Sequence, residues 1–527
     1  MEKKEDKEVL DVTVAEIDEL RKAVEESDFT QRHKAILLTL IEEIVSLKKN
    51  NQKKATQINR LKRLLGSSSE KKSSKKRSSQ PIDKKTAKNH GRNGFDAYRP
   101  SKVIPHSHQK LHLGQNCPEC NHGTLVQLRP GKVIRIVGNA PIEAHLHEPE
   151  RLRCGGCGKV FCADLPEEVA ENKADATANS VLAYLHYGMG LPFYRLAAIQ
   201  KTLGVPLPAS TQYEMLELLW TQIAPVFKML LQIAAGWPLM FLDDTPSKVL
   251  DFIKEKESRK KAKERVGVFT TAIIARNAEH EIHLFFTGRK HAGENLGELL
   301  KQRDGNSSPP IQMSDALSGN LINDHLTVVA LCLVHARRNI IDCENSFPDE
   351  AAYMIERFGT VFKNERETKR QNMDNVQRLE YHQKHSQKPM NEIKAYAEDK
   401  FETREVEPNS PLGQSFQYLL KHWSGLTKFL EIPGAPLENN EAERLIKRFI
   451  LYRKNSMFYK TENGARVGDC IMSILQTCIA ADENPMDYLT QLQRNSKQVA
   501  KNPQLWLPWN YRNTLKSVNP GAAQAQQ

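Results

Sequence analysis

The chain has 527 residues, too many for one ordinary hydrophobic core, and is expected to divide into about three or four domains. A net charge of +12 and a sequence pI near 9.1 favour a polyanionic partner, because the cations are concentrated in identifiable stretches. No run of about 18 apolar residues and no N-terminal signal peptide is evident, so a soluble, cytoplasmic chain with no membrane contact is expected; nine cysteines then point to metal ligands or core thiols rather than a disulfide framework.

Residues 1–30 are charged and poor in large apolar groups, the pattern of a frayed helix or an unstructured lead-in. A heptad repeat follows. With Leu37, Ile44, Asn51, Ile58 and Leu65 at position a and Leu40, Leu47, Lys54 and Leu61 at position d, seven of nine seam positions are apolar. The repeat predicts a parallel coiled coil over 37–65 that makes a homo-oligomer, with Asn51 and Lys54 lowering stability while fixing register. A single amphipathic helix packed on its own protein is the alternative. Residues 66–92, rich in Ser and Lys, form a basic linker too polar to order itself, whose lysines either neutralise phosphates or are simply solvated.

Cys117-Pro-Glu-Cys120 and Cys154-Gly-Gly-Cys157 form two CxxC pairs separated by 33 residues. Structural Zn²⁺ takes four thiolates in a tetrahedron, and Gly155 with Gly156 lets the backbone curl around the metal. The strand-like segments between the pairs predict a zinc ribbon; His122, His145 and His147 could substitute as ligands. A redox CxxC would need a βαβ setting, and nothing here resembles one. Cys162, Cys332, Cys343, Cys470 and Cys478 lie in apolar or helical surroundings and are expected in the core.

Residues 172–235 read as helices broken at Gly190–Pro192 and Gly204–Pro208, with Ser210 or Thr211 capping the last. A helix-turn-helix fits this pattern, and so does any small helical domain lacking a basic recognition face. From 237 the period becomes strand-like: PLMFLDDT, VGVFTTAIIA, EIHLFFTG, a helical GENLGELLKQR, PIQMSDAL, another helix, then TVVALCLVHARRNIID. The order β-β-β-α-β-α-β predicts a mixed sheet with helices packed over it, the arrangement of the ribonuclease-H-like fold.

Asp243 ends the first of these strands, with Asp244 as the fallback, and Asp315 follows the fourth. Glu443 opens a late helix, ENNEAERLIKR, that Asn439 and Asn440 are expected to cap. Hard oxygens from separate elements can hold two Mg²⁺ ions about 3.5–4 Å apart, which activate a water and steady the leaving oxygen of a phosphodiester. Each acid alone reads as a solvated loop carboxylate; three at matching element ends read as a metal site. His335, Arg337 and Arg338 follow a strand, and Arg444, Lys447, Arg448, Arg453 and Lys454 follow the glutamate, where they can grip DNA phosphates. A satisfied core histidine and a solvated helix face are the competing readings. Between these blocks, 344–430 is a helical insertion whose charged stretch KNERETKRQNMDNVQRLEYHQKHSQK is expected to be exposed. Its Trp423 reads either as core or as a platform for an unpaired base.

Across nearly its whole length the sequence resembles transposases of the insertion-sequence-66 family, members of the DD(E) group. The resemblance rests on the coiled-coil helix running into LLGSSSEK, the paired Cys knuckles, GMGLPFYRLAAIQKTLGVPLPASTQYEML, LDDTP, CLVHARRNIID, ENNEAERLIKRFILYRKN, and ILQTCIAADENPMDYL followed by LPWN. It implies a catalytic triad of Asp243, Asp315 and Glu443 using two Mg²⁺ or Mn²⁺ ions, strand cleavage at element ends, and transfer of the freed 3′-hydroxyl to a target. The implied partners are double-stranded DNA, as terminal repeats and target, a synaptic multimer and accessory transposition proteins, in a prokaryotic, nucleoid-associated setting. A non-catalytic zinc-ribbon DNA-binding regulator and a structure-specific nuclease of the same fold compete with this reading. The expected division is a multidomain α+β chain: N-terminal coiled coil 1–66, basic linker 67–105, zinc-binding domain 106–165, helical DNA-binding domain 166–235, ribonuclease-H-like core 236–343 with 431–480, insertion 344–430, and C-terminal helix and tail 481–527.

Overall fold

The computed structural model describes residues 14–65, 141–153, 160–164, 174–258, 267–322 and 327–518, with positions 112, 114–116, 118, 124 and 166 between them. The basic linker and the thiols Cys117, Cys120, Cys154 and Cys157 expected to hold zinc lie outside the described residues. Contacts divide the chain into two units, Met1–Ser67 with Ala144–Gln527, and Ser68–Glu143. In the second, Asn116 and Thr124 pair across one antiparallel bridge. Every element below belongs to the first.

Helices α1 (Val14–Glu26) and α2 (Gln31–Leu65) open it, so a helix occupies much of the charged lead-in. A short antiparallel pair, β1 (Arg151–Arg153) and β2 (Val160–Cys162), is followed by α3 (Ala176–Ala183, extended by a π turn through Gly188), α4 (Phe193–Thr202) and α5 (Ala209–Gly236). The breaks fall at the two glycine turns. Gly190 has φ +72°, and a Cβ there would meet the Tyr452 backbone at 3.3 Å, so only glycine fits without strain. Ser210 and Thr211 do not cap α5: Pro208 holds the N-cap position and both lie inside the first turn.

The sheet comprises β3 (Leu239–Pro246), β4 (Phe269–Arg276), β5 (Glu281–Gly288), β6 (Ile311–Ser314) and β7 (Val328–Leu331), with α6 (Leu250–Ser258) between β3 and β4 and α7 (Ala292–Leu300) between β5 and β6. Its order is β5-β4-β3-β6-β7: β3, β4 and β5 pair antiparallel, while β6 and β7 run parallel to β3. Two details depart from expectation. Helix α6 interrupts the meander, and between β6 and β7 the described residues hold only a 3₁₀ turn at Ser318–Asn320 instead of a helix.

After β7 come α8 (Leu333–Cys343), then α9 (Pro348–Arg370), α10 (Asn375–His385), α11 (Gln387–Glu402), α12 (Pro411–Lys421) and the one-turn α13 (Trp423–Leu426). The chain closes with α14 (Asn440–Ser456), α15 (Glu462–Ala480), α16 (Pro485–Arg494), α17 (Ser496–Lys501) and α18 (Tyr511–Val518). Alternation along β3 sends Asp243 and Asp244 to opposite faces. On the Asp244 face lies α7, whose Asn295 Nδ2 donates to Thr271 Oγ1 at 2.8 Å. On the Asp243 face lies α14, tied by the Glu441 to Arg276 ion pair, with Arg276 also 5.0 Å over the Phe241 ring. Covered on both faces, β4 buries six successive residues, Thr270–Ala275.

Helix α5, which the sequence reading does not single out as apolar, is long and apolar enough to cross a membrane by length and composition alone. Yet Leu216, Leu219, Ile223, Val226 and Leu230 are fully buried, and the helix packs on α3, α7, α15, α16 and α17. Part of its apolar surface therefore has protein partners. The insertion helices share a cluster with the sheet's end: Leu331, Leu333, Ala336 and Ile340 pack with Met354, Phe358, Met390, Leu412, Phe416 and Phe429. Trp423 is half-buried against that cluster with Lys394 Nζ 5.9 Å from its ring, the packed alternative for this residue.

The charged stretch expected to be exposed is partly buried. Glu365 and His382 are buried and Arg378 is half-buried beside them, and Arg378 Nε and His382 Nε2 each donate to Glu365 Oε2 at 2.9 Å. Burial opposes ionisation of Glu365, but the His382 hydrogen bond and the Arg378 and Lys369 charges hold its carboxyl down at about 2.

Candidate metal centre at the strand ends

The carboxylates are brought together by strand register. Leu239 pairs with Ile311 and Phe241 with Met313, the last pair of the parallel β3–β6 ladder; Asp243 lies inside β3, which runs on to Pro246, rather than at its expected end, and Asp315, just past β6, is close enough for its charge to act on Asp243. The β6–β7 ladder, Ile311 to Val328 and Ser314 to Leu331, places Cys332 level with Asp315 in turn. The Cys332 N–H extends this ladder by donating to Ser314 O at 3.0 Å.

Glu443 enters from the first turn of α14. Neither asparagine caps that helix with its side chain. Instead Asn439, fully buried, donates from Nδ2 to Leu242 O at 2.7 Å and from its backbone N–H to Cys332 Sγ at 3.3 Å, while Asn440 binds Glu438. Asn439 thereby ties the start of α14 to the residue before Asp243 and to the end of β7.

Charge follows geometry. Burial, then the charges of Asp315, Glu443 and Asp244, push Asp243 up to about 7, against one backbone hydrogen bond from Asp244 at 2.9 Å. Asp315 Oδ1 accepts from Leu317 N at 3.2 Å and from Asn320 Nδ2. Asp244, on the other face, is held by His291 Nδ1 at 2.9 Å. Glu443 lies 3.8 Å from His335 Nε2 and 4.0 Å from Arg338, yet its Oε1 is buried without a hydrogen-bond partner. Three clustered carboxylates, one with an orphaned oxygen and one inclined to keep its proton, make a donor set short of cationic charge. Such hard oxygen ligands suit Mg²⁺ or Mn²⁺.

A second donor set overlaps the first. One ligand atom each of Cys332, His335 and Glu443 lies within 4.8 Å of the others. Burial lowers the His335 pKa against the pull of Glu443, and burial pushes the Cys332 thiol up to about 11. Tyr418 of α12 reaches in as well: burial and the Asp315 charge raise its hydroxyl to about 12, against a backbone hydrogen bond from Ala316. Cys332, like Cys343, Cys470 and Cys478, is a free, buried thiol, as expected of a core cysteine, and it also borders this cluster.

The cationic residues separate into two groups. Arg444, Lys447, Arg448 and Lys454 are exposed along one ridge of α14, at spacings that share a helix face. Arg453 is engaged, donating to Thr245 Oγ1 at 3.0 Å and to Pro246 O. His335, Arg337 and Arg338 lie in the first turns of α8; Arg338 is near Glu443, while Arg337 stacks 5.8 Å from the Phe362 ring of the insertion. The sequence reading takes Asn439 as a helix cap and Cys332 as a core thiol, and passes over His291 and Tyr418. Only Asn439 and Cys332 carried a signal, beside Glu443 and within Cys-Leu-Val-His335.

A family model described as Transposase IS66 family matches residues 173–467. An uncharacterized protein, y4jD, of Sinorhizobium fredii is 25% identical over 388 residues, covering 69% of this chain and 71% of that protein. Two others from the same organism are also uncharacterized: y4qI is 29% identical over 113 residues and covers 21% of each chain, and y4hP is 24% identical over 200 residues and covers 35% of each.

Proposed function

The chain belongs to the IS66 family of transposases, and from that premise we propose that it cuts and joins DNA at Asp243, Asp315 and Glu443. Asp243, Asp315 and Glu443 hold two divalent cations, Mg²⁺ or Mn²⁺, on a ribonuclease-H-like sheet of order β5-β4-β3-β6-β7. The observation carrying this reading is the placement of Asp243 on β3 and of Asp315 just past its parallel neighbour β6, close enough for their charges to interact, with Glu443 entering from α14, its Oε1 unpartnered. When bound, the cation pair supplies activation of a water, and later of a 3′-hydroxyl, and neutralises charge developing on the phosphodiester.

The chain's own residues do the rest. Arg444, Lys447, Arg448 and Lys454 grip phosphates along the α14 ridge, and His335 with Arg338 line the approach. Arg337 and Arg453 brace this surface through Phe362 and the end of β3. Asn439 sets the position of Glu443 relative to Asp243. No covalent link between protein and DNA is needed, so no serine or tyrosine nucleophile is invoked. The paired CxxC motifs hold a structural Zn²⁺, the α2 seam makes a homo-oligomer that brings two element ends together, and accessory proteins complete the assembly in a prokaryotic cytoplasm.

The test uses purified protein, Mg²⁺ and an end-labelled duplex carrying the element's terminal repeat, with a plasmid target. Cut and joined product is expected. Cutting alone points to a structure-specific nuclease, and specific binding without a cut points to a zinc-ribbon regulator; either outcome overturns the proposal.

A further inference from the structure

We propose that Cys332, His335 and Glu443 form a second cation site, for a borderline-soft ion such as Zn²⁺, which competes with the carboxylate site for Glu443. The donor chemistry motivates this. Asp243 and Asp315 offer only hard oxygens, whereas one position further along the same row of strand ends the chain presents a sulfur, with an imidazole one helical turn later. Thiolate and imidazole select zinc over magnesium, and three protein ligands with one open position are an established zinc arrangement.

Two further observations point to a ligand. His335 Nδ1 and Glu443 Oε1 are both buried without a hydrogen-bond partner, an expense that an ion bound at Glu443 removes for the carboxylate. The Cys332 sulfur is held in place by the Asn439 N–H at 3.3 Å, the kind of orienting contact that metal ligands use. The 4.8 Å limit on ligand separations leaves a modest contraction to zinc bond lengths of about 2.0–2.3 Å, within reach of side-chain rotation. On binding, the S–H bond breaks, a sulfur–zinc bond forms and the proton leaves to buffer. Zinc seated here takes Glu443 from the Mg²⁺ site, so strand cleavage falls as zinc rises. That consequence rests on the function proposed above; the binding itself does not.

The experiment separates the two. Full-length protein and its Cys332→Ser and His335→Ala variants are dialysed against Zn²⁺, and bound metal is counted against a chromophoric chelator in the absence of DNA, with thermal unfolding as the check on folding. Wild type is expected to hold one more equivalent than either folded variant, with one proton released per added ion. In the cleavage assay, C332S should need roughly tenfold more zinc for half-inhibition, the scale on which metal-site contacts act. Equal zinc counts in wild type and C332S overturn the site, whatever the cleavage assay returns. An extra equivalent that leaves cleavage unaffected keeps the site and overturns the competition. Should C332S not fold, H335A decides by the same count.

Discussion

Asn439 is the side chain on which the relative placement of the carboxylates turns. Its bond to Leu242 O and its N–H contact with Cys332 join three segments that are far apart in sequence. Asn439→Ala should cost about 1–3 kcal/mol by leaving a buried carbonyl unpaired, and should weaken Mn²⁺ binding beyond what the lowered stability explains. Calorimetric unfolding alongside Mn²⁺ titration measures both; unchanged Mn²⁺ affinity would remove its positioning role. Asp315→Asn should abolish cleavage of the labelled duplex while end binding, followed by gel shift, stays within a fewfold. Retained cleavage would take Asp315 out of the site. The acids stood out in the sequence because each follows an apolar run or opens a helix. Asn439 and Cys332 did not, because their roles come from ladder register across strands, which no local pattern carries.

At the scale of elements, the outer edge of β5 is closed by a helix. Asp469, Ser473 and Thr477, four residues apart along α15, accept from the backbone N–H groups of Thr287, Phe285 and His283 at 2.6, 2.9 and 3.0 Å. Four residues of helix rise about 6 Å and two of strand about 6.8 Å, so the two repeats stay in step over three contacts. An exposed edge strand is a template for aggregation, and this ladder removes it. Ser473→Ala should destabilise by about 1–2 kcal/mol, and Ser473→Ala with Thr477→Val should aggregate on mild heating, as read by light scattering; a soluble double variant would show that the edge is protected otherwise. The insertion makes the opposite point. Its charged sequence reads as solvated, yet Glu365 is buried because Arg378, His382 and Lys369 converge on it from neighbouring turns. The folded carboxyl titrates near 2 against an ordinary 4.5, so its contribution is fully present above about pH 4.5 and is lost as pH falls toward 2. Glu365→Ala should cost about 3–5 kcal/mol at neutral pH and flatten the acid limb of the stability curve; an unchanged limb would assign acid sensitivity to other groups.

Across the whole molecule, α2 carries two surfaces. One meets the rest of the protein, with Lys49 Nζ 3.6 Å from Glu407 and Thr56 beside Cys343. The heptad seam lies on the other, where Ile44 and Leu47 are 63% and 62% exposed. The five strands and their order along the chain were legible in the apolar runs, whereas α6, the 3₁₀ turn that stands among the described residues before β7 and the packing of α5 depended on tertiary partners that short windows do not contain. If the seam assembles the protein, Ile44→Lys with Leu47→Lys should halve the mass measured by light scattering without lowering the unfolding temperature; an unchanged mass would place assembly elsewhere. If Asp243, Asp315 and Glu443 form one cation site, an ion bound there should be visible. In crystals grown with Mn²⁺ and measured at its absorption edge, anomalous density about 2.1 Å from Asp243 and Asp315 oxygens, with Glu443 completing the shell, is expected. Mn²⁺ density elsewhere, or none at concentrations that support cleavage, would contradict it.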